Sequence, residues 1–254
     1  LLTAFWYESS MSSALQRALD ENIPVVFVDY RWEKYPAALV CSNHCMGGRL
    51  IGEHLFEVGH RDIAVLIYSD EGRIQSIRDR MEGVEEGFLG KARGKEAHVL
   101  QWTLPEANHS ELPGSFLSAQ LKRHPEVSAL VCPNDVRAYQ VIYELGQFGL
   151  RVPNDVAVTG YDDLLAPFSR TVSGMNENMF QNVIPNPLTT VNQPLRQIGM
   201  EAARVLVDHI EHGQPADLED IQLDVKLVVR SSSRLPDRLR GQRVPKVEQG
   251  AGSA

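Results

Sequence analysis

Four residues in this 254-residue chain could meet one ligand rich in hydroxyl groups: Asp29, Arg80, Asn134 and Asp162. A sugar hydroxyl both donates and accepts hydrogen bonds, so it suits a mixed set of carboxylates, an amide and a guanidinium. Ionised partners make such bonds about twice as strong as neutral ones. Three of them also have a plainer reading. Asn134 could simply cap a helix, Arg80 could pair with Asp79 or Glu82 at a surface, and Asp162 could be turn chemistry.

The elements that must position these residues alternate between strand and helix. The stretch from Ala129 to Asp163 encodes a complete βαβ unit. Ala129-Leu-Val-Cys132 is an apolar run suited to a buried strand, and Asn134-Asp135 follows as an N-cap. Ala138, Val141, Ile142, Leu145 and Phe148 then recur at helical spacing until Gly149. Val156-Ala-Val158 is a second strand, whose C-terminal end carries Gly160-Tyr-Asp-Asp163. In an open parallel sheet, ligands bind outside the carboxyl ends of the strands.

Strands are also expected at 1–5, 25–28, 63–67, 99–102 and 221–229, and helices at 10–21, 49–58, 77–89, 110–122 and 197–210. Gly59 closes one helix, and Pro113 is tolerated near the start of another. The aperiodic residues from 232 or 233 to 254 are expected to be a disordered tail.

Motifs in a fixed order make the chain resemble the effector-binding region of the lactose/galactose repressor family of bacterial transcription regulators. They are Ile23-Pro-Val-Val-Phe-Val-Asp29, Gly47-Gly48 with Glu53-His-Leu and Gly59-His60-Arg61, Arg80-x-x-Gly83, Pro133-Asn134-Asp135, Arg151-Val-Pro-x-Asp155-Val, Gly160-Tyr-Asp-Asp163, Leu188-Thr-Thr-Val-x-Gln-Pro194 and Val229-Arg-Ser231. The resemblance covers residues 1 to about 235. It implies an α/β fold of the periplasmic-binding-protein-like type I, with two doubly wound parallel-sheet subdomains joined by three crossing segments. Residues 1–41 and 190–218 would form the first subdomain, and 42–189 with 219–232 the second. The family places two further βα units and a helix-turn-helix headpiece before the strand matching Leu1–Phe5, so the resemblance implies an incomplete first subdomain in a fragment of a longer regulator.

It also implies roles. Arg80 and Asp162 match positions that commonly contact effector, and Asp29, Ser76 and Asn134 match positions that often do. Trp102 lies about where the family stacks an aromatic on a sugar ring, although ordinary packing explains it too. The implied partners are a sugar or sugar derivative as effector, operator DNA through the headpiece, and further copies of the chain as a homodimer or dimer of dimers, with the helix after Gly47-Gly48 or its neighbours contributing apolar surface. The alternative within the fold is a periplasmic sugar-binding protein of an uptake system. Three departures stand out: Val84 where an aromatic is usual, Asn43-His44 where Asp-Asn is usual, and a long stretch from Leu165 to Pro187.

Composition narrows the remaining classes. A net charge of -8 argues against this segment gripping a phosphate backbone. The three cysteines, Cys41, Cys45 and Cys132, do not form a disulfide framework, and no apolar run approaches the ~20 residues of a membrane span, so a cytoplasmic location is expected. No cofactor, metal or enzymatic activity is expected. Gly90-Lys-Ala-Arg-Gly94-Lys95 has Glu96 where a phosphate loop needs Ser or Thr, and Cys41, His44 and Cys45 lack a fourth zinc ligand.

Overall fold

In this computed structural model, residues 2–3, 13, 15–18, 20–31, 36–68, 74–104, 114–164, 188–213 and 220–240 are described. They form two parallel four-stranded sheets and a small antiparallel ribbon.

The first sheet has the order β1-β2-β3-β9, from Leu2–Thr3, Val26–Val28, Ala38–Ser42 and Ile221–Leu223. Alternate side chains of its strands bury on opposite faces, as the two-residue period requires. Val26, Ala38 and Val40 pack with Ile198, Ala202 and Val205, whereas Val25, Phe27 and Ala37 pack with Leu15. The strand Ala38–Ser42 has no counterpart among the expected elements. Its apolar run, Ala37-Ala-Leu-Val-Cys41, is short and lies close in sequence to the preceding strand.

The second sheet has the order β5-β4-β6-β7, from His98–Leu104, Asp62–Tyr68, Ala129–Val131 and Ala157–Thr159. Helices α1 (His44–Val58) and α2 (Gln75–Ala92) cover one face, where Ile51, Leu55, Val84 and Phe88 meet Ile63 and Val65. Helices α3 (Gly114–Arg123) and α4 (Asp135–Gln147) cover the other, where Leu117, Val141 and Leu145 meet Ala64 and Leu66. Helix α1 starts five residues before its expected position because Asn43 caps it, accepting a 2.9 Å bond from the Met46 amide.

Helices α1 and α2 cross at backbone contact. A Cβ on Gly48 would stand 1.9 Å from the Arg80 carbonyl oxygen, and one on Gly83 2.1 Å from that of Cys45. The glycine face of α1 is therefore occupied by α2, and the exposed large apolar residues left on α1 are Met46 and Val58.

The expected strand over 221–229 divides in two. Ile221–Leu223 joins the first sheet beside β3, which corrects its assignment to the second subdomain, while β10 (Lys226–Val228) pairs antiparallel with β8 (Thr190–Asn192). Asp224 and Val225 carry the chain across, with Val225 buried against the second sheet's core. An unbroken apolar pattern does not reveal a change of partner.

The expected disordered tail also starts too early. Ser231–Ser233 form a 3-10 turn whose last two residues are buried, and Asp237–Arg240 form helix α6. The Ser232 hydroxyl donates to the Val158 carbonyl and accepts from the Thr189 amide, and the Ser233 carbonyl sits 3.1 Å from His60 Nε2. Specific non-local bonds order this aperiodic stretch. Residues 241–254, and the long stretch expected at 165–187, lie outside the described residues. Helix α5 (Leu195–His212) covers the first sheet.

Candidate functional site

The polar residues converge where the strands of both sheets end. Asp29 follows β2, Ser42 ends β3, His44 opens α1, Pro133 follows β6, Asp162 follows β7 and Gln193 follows β8. Arg80, on α2 and 5 % exposed, lies among them. Its Nε donates to His44 Nδ1 at 3.3 Å and its Nη1 to the Pro133 carbonyl at 2.9 Å, with Asp162 Oδ1 3.3 Å from the same nitrogen. The guanidinium carbon stands 3.9 Å from the centroid of the Tyr161 ring, a cation–π contact.

Two further contacts extend this group into the first sheet. His44 Nε2 lies 3.0 Å from Asp29 Oδ1. Gln193 Nε2 donates to Asp162 Oδ1 at 2.6 Å, while its carbonyl oxygen accepts from the Ser42 hydroxyl at 2.7 Å. A polar chain thus runs from Asp29 through His44 and Arg80 to Asp162, and through Gln193 back to Ser42.

The two carboxyls differ in ionisation. Burial works against charge on Asp29, but His44 and Arg80 beside it hold its pKa below the ordinary carboxylate value. Asp162 goes the other way: burial, reinforced by the Asp29 charge, pushes it up to about 6 against the pull of Arg80 and Gln193. For His44, burial lowers the pKa and Arg80 adds to that, outweighing Asp29. His44 therefore enters the site as a neutral ring, with Nδ1 accepting from Arg80 and Nε2–H facing Asp29.

Beneath Asp162 lies a second layer. Asp135 accepts from the Thr190 hydroxyl at 2.6 Å and from the Leu164 amide at 2.9 Å. Its fully buried position pushes its pKa up to about 7. Asp163 receives Arg230 at 2.8 Å, which ties the end of the β10 segment to the Gly160-Tyr-Asp-Asp163 turn.

Of the six expected residues, Asp29, Arg80 and Asp162 come together in this polar chain. Ser76 lies one turn before Arg80 on the same side of α2 and is buried. Asn134 is a helix cap, its Oδ1 accepting from the Arg137 amide at 2.9 Å, and its neighbour's carbonyl holds Arg80. Trp102 stands apart from them. It lies in the core between the second sheet and α3 and α4, 6.0 Å ring to ring from His124. Strand parity decides this, since Gln101 and Thr103 on the other face are exposed while Trp102 is 5 % exposed. His44, Gln193, Ser42 and Tyr161 were not expected in the site. Gln193 and Tyr161 belong to recognised motifs, and His44 stands out as a departure, which were the available signals.

Comparison with known proteins agrees with this fold. Residues 53–233 match the family model described as a periplasmic binding protein-like domain. The chain is 28 % identical over 229 residues to the HTH-type transcriptional repressor PurR of Aliivibrio fischeri (strain MJ11), which spans 88 % of this chain and 62 % of that protein. It is 28 % identical to the arabinose metabolism transcriptional repressor of Geobacillus stearothermophilus, covering 84 % of this chain and 54 % of the relative. The chain thus spans between about half and three-fifths of the length of these curated relatives. A LacI family transcriptional regulator from Enterococcus faecium, solved with bound ribose, superposes with a TM-score of 0.67 at 22 % identity, covering 89 % of this chain and 76 % of that one. With two parallel sheets whose strand ends face a shared polar cluster, and with the family model spanning most of its length, this chain belongs to the periplasmic binding protein-like domain family.

Proposed function

We propose that the chain is the effector-sensing region of a bacterial DNA-binding regulator of the lactose/galactose repressor type. In this reading it binds a small hydroxylated molecule, a sugar or sugar derivative, between two subdomains. The first subdomain comprises residues 1–41, the segment 190–218 and β9, and the second comprises residues 42–189 with β10 and the turn after it. The observation that carries the reading is the Arg80 cluster. Its donors and acceptors come from the strand ends of both sheets, so a ligand held there touches both halves at once and favours one of their relative positions.

Binding rather than catalysis suits the geometry. Asp162 Oδ1 is taken by Arg80 and Gln193, and Asp29 faces His44, so the carboxyls hold partners that a ligand hydroxyl can replace in kind. Operator DNA would be reached through a helix-turn-helix headpiece of the sort named in the PurR relatives, with the regulator acting as a homodimer or dimer of dimers in the cytoplasm. Among the described residues, no helix is long and apolar enough to cross a membrane.

Isothermal titration of neutral pentoses, hexoses and disaccharides into the chain tests the reading. At least one sugar is expected to bind the unaltered chain and to bind Asp162→Ala at least ten-fold more weakly. A sugar that binds both equally well would move the ligand out of this cluster.

A further inference from the structure

Helix α5 carries two apolar faces. One, formed by Ile198, Ala202, Val205 and His209, is buried against the first sheet. At about 100° per residue, Met200, Ala203, Val207 and Ile210 fall together on the opposite side, at the three-and-four spacing of a helix-pairing seam. Met200 is 63 % exposed, Val207 51 % and Ile210 64 %, and Ala203 is exposed with them. Three large exposed apolar side chains in one row exceed the scattered singles of an ordinary surface.

The charges along this helix indicate what the row fits. Glu201 pairs with Arg204, and Asp208 with His212. Arg196 and Glu211, at the two ends of the row, are exposed and have no ion-pair or hydrogen-bond partner among the described residues. They lie fifteen positions apart, about 22 Å along a helix. Lay a second α5 antiparallel on the first, with a two-fold axis between Ala203 and Arg204. Met200 then stands opposite Val207, and each Arg196 stands opposite the partner's Glu211. A seam whose apolar and charged positions both match under one two-fold is self-complementary, as an isologous interface requires.

We propose that the outer face of α5 is a docking surface for a second copy of this chain, formed by antiparallel pairing of the two helices. Beside the two-fold, the small side chain of Ala203 permits close approach. Around Gly199 nothing stands within 4 Å of where a Cβ would be, and Ala203 lies one turn further on. The surface is separate from α1, the helix expected, alone or through its neighbours, to give apolar contact between copies, and it does not depend on which ligand the cleft holds.

The test uses sedimentation of the full chain at tens of micromolar with three samples: Arg196→Glu alone, Glu211→Arg alone, and the two mixed. Each single variant places like charges at both ends of the seam, so the particle mass is expected to be half that of the unaltered chain. Mixing them restores opposite charges at both ends, and the larger mass should return as a heteromer. Circular dichroism and melting temperature matched to the unaltered chain show that the fold is intact. Three results overturn the proposal: an unaltered chain that sediments as a monomer, single variants that keep the full mass, or a mixture that does not reassemble. If only Val207→Asp dissociates the particle and the charge variants do not, the face binds by apolar contact in another register, and the antiparallel pairing is wrong.

Discussion

Arg80 and Asp162 are held 3.3 Å apart at the junction of the two sheets, and the guanidinium is the chief influence offsetting the burial of the Asp162 carboxyl. Removing Arg80 should therefore change Asp162 itself. In Arg80→Ala the Asp162 pKa is expected to climb above about 6, since the guanidinium is the chief influence lowering it. Titration followed by carboxyl NMR reads this directly, and an unchanged midpoint would mean that the two do not interact in solution. Ligand affinity should fall in Arg80→Ala and in Asp162→Ala by about 1.5–3 kcal/mol, the range for a hydrogen bond to a charged group. Calorimetry with a sugar that binds the unaltered chain checks it.

The same arginine constrains the helix beneath it. Gly48→Ala would drive a methyl group into the Arg80 carbonyl, which is backbone and cannot rotate away, so α1 and α2 must separate. A loss of about 1–3 kcal/mol or more is expected, with weaker ligand binding as Arg80 shifts. Gly90→Ala on α2 is the control. Nothing lies near its added Cβ, so helix propensity alone should stabilise the chain by up to about 1 kcal/mol. Denaturant melts of the two variants should move in opposite directions.

His60 should make the fold sensitive to acid. It is fully buried, with Nδ1 2.8 Å from the Ser128 hydroxyl and Nε2 3.1 Å from the Ser233 carbonyl. A carbonyl only accepts, so Nε2 carries the proton and Nδ1 accepts from Ser128. Burial holds the pKa at about 4, below the ordinary 6.5. Between those values the unfolded chain binds a proton that the folded one does not, so this contribution to stability is complete above about pH 6.5 and drains away towards pH 4. The shift corresponds to about 3 kcal/mol. In His60→Gln the melting temperature should fall less between pH 7 and pH 4.5 than in the unaltered chain. Equal pH slopes would assign the acid sensitivity elsewhere.

Asp135 should act in the opposite sense. Its pKa is raised to about 7 from 3.8, so the folded chain holds the proton more tightly and stability is lost as pH rises through about 7. Asp135→Asn cannot ionise. It also misplaces one amide donor against either the Thr190 hydroxyl or the Leu164 amide. Its penalty relative to the unaltered chain should therefore be larger at pH 5 than at pH 8, by melts at both values.

Local pattern and spatial pairing differ in how far a single sequence displays them. The unit from Ala129 to Thr159 was legible because its strands are short, wholly apolar and bounded by Asn134 and Gly149, which act on their own neighbours. That Asp29 and Asp162 would meet was legible because strand ends in a parallel sheet converge, and Arg80, on a helix, entered through the family resemblance. The Gln193 bridge and the two-sided contact of His44 depend on residues up to 151 positions apart, and no periodicity encodes them. Trp102 depended on strand parity, which a one-residue slip inverts. The division of 221–228 between two sheets, and the order of 231–240, rest on contacts with β3, β8, His60 and Thr189 that local patterning does not contain.

The backbone at the cleft has a consequence for how this protein could be altered. Asp162 adopts φ +114° and Asp29 φ +67°, conformations in which a side chain is strained and glycine is at ease. Backbone strain on its own would favour glycine at both positions, whereas the polar chain through His44, Arg80 and Gln193 uses the carboxylates. Asp162→Gly should therefore lose recognition while relaxing the chain, and Asp162→Ala should lose recognition without that relief. Selection for thermal tolerance alone would then drift towards a sturdier chain that has lost the carboxylates linking its two sheets.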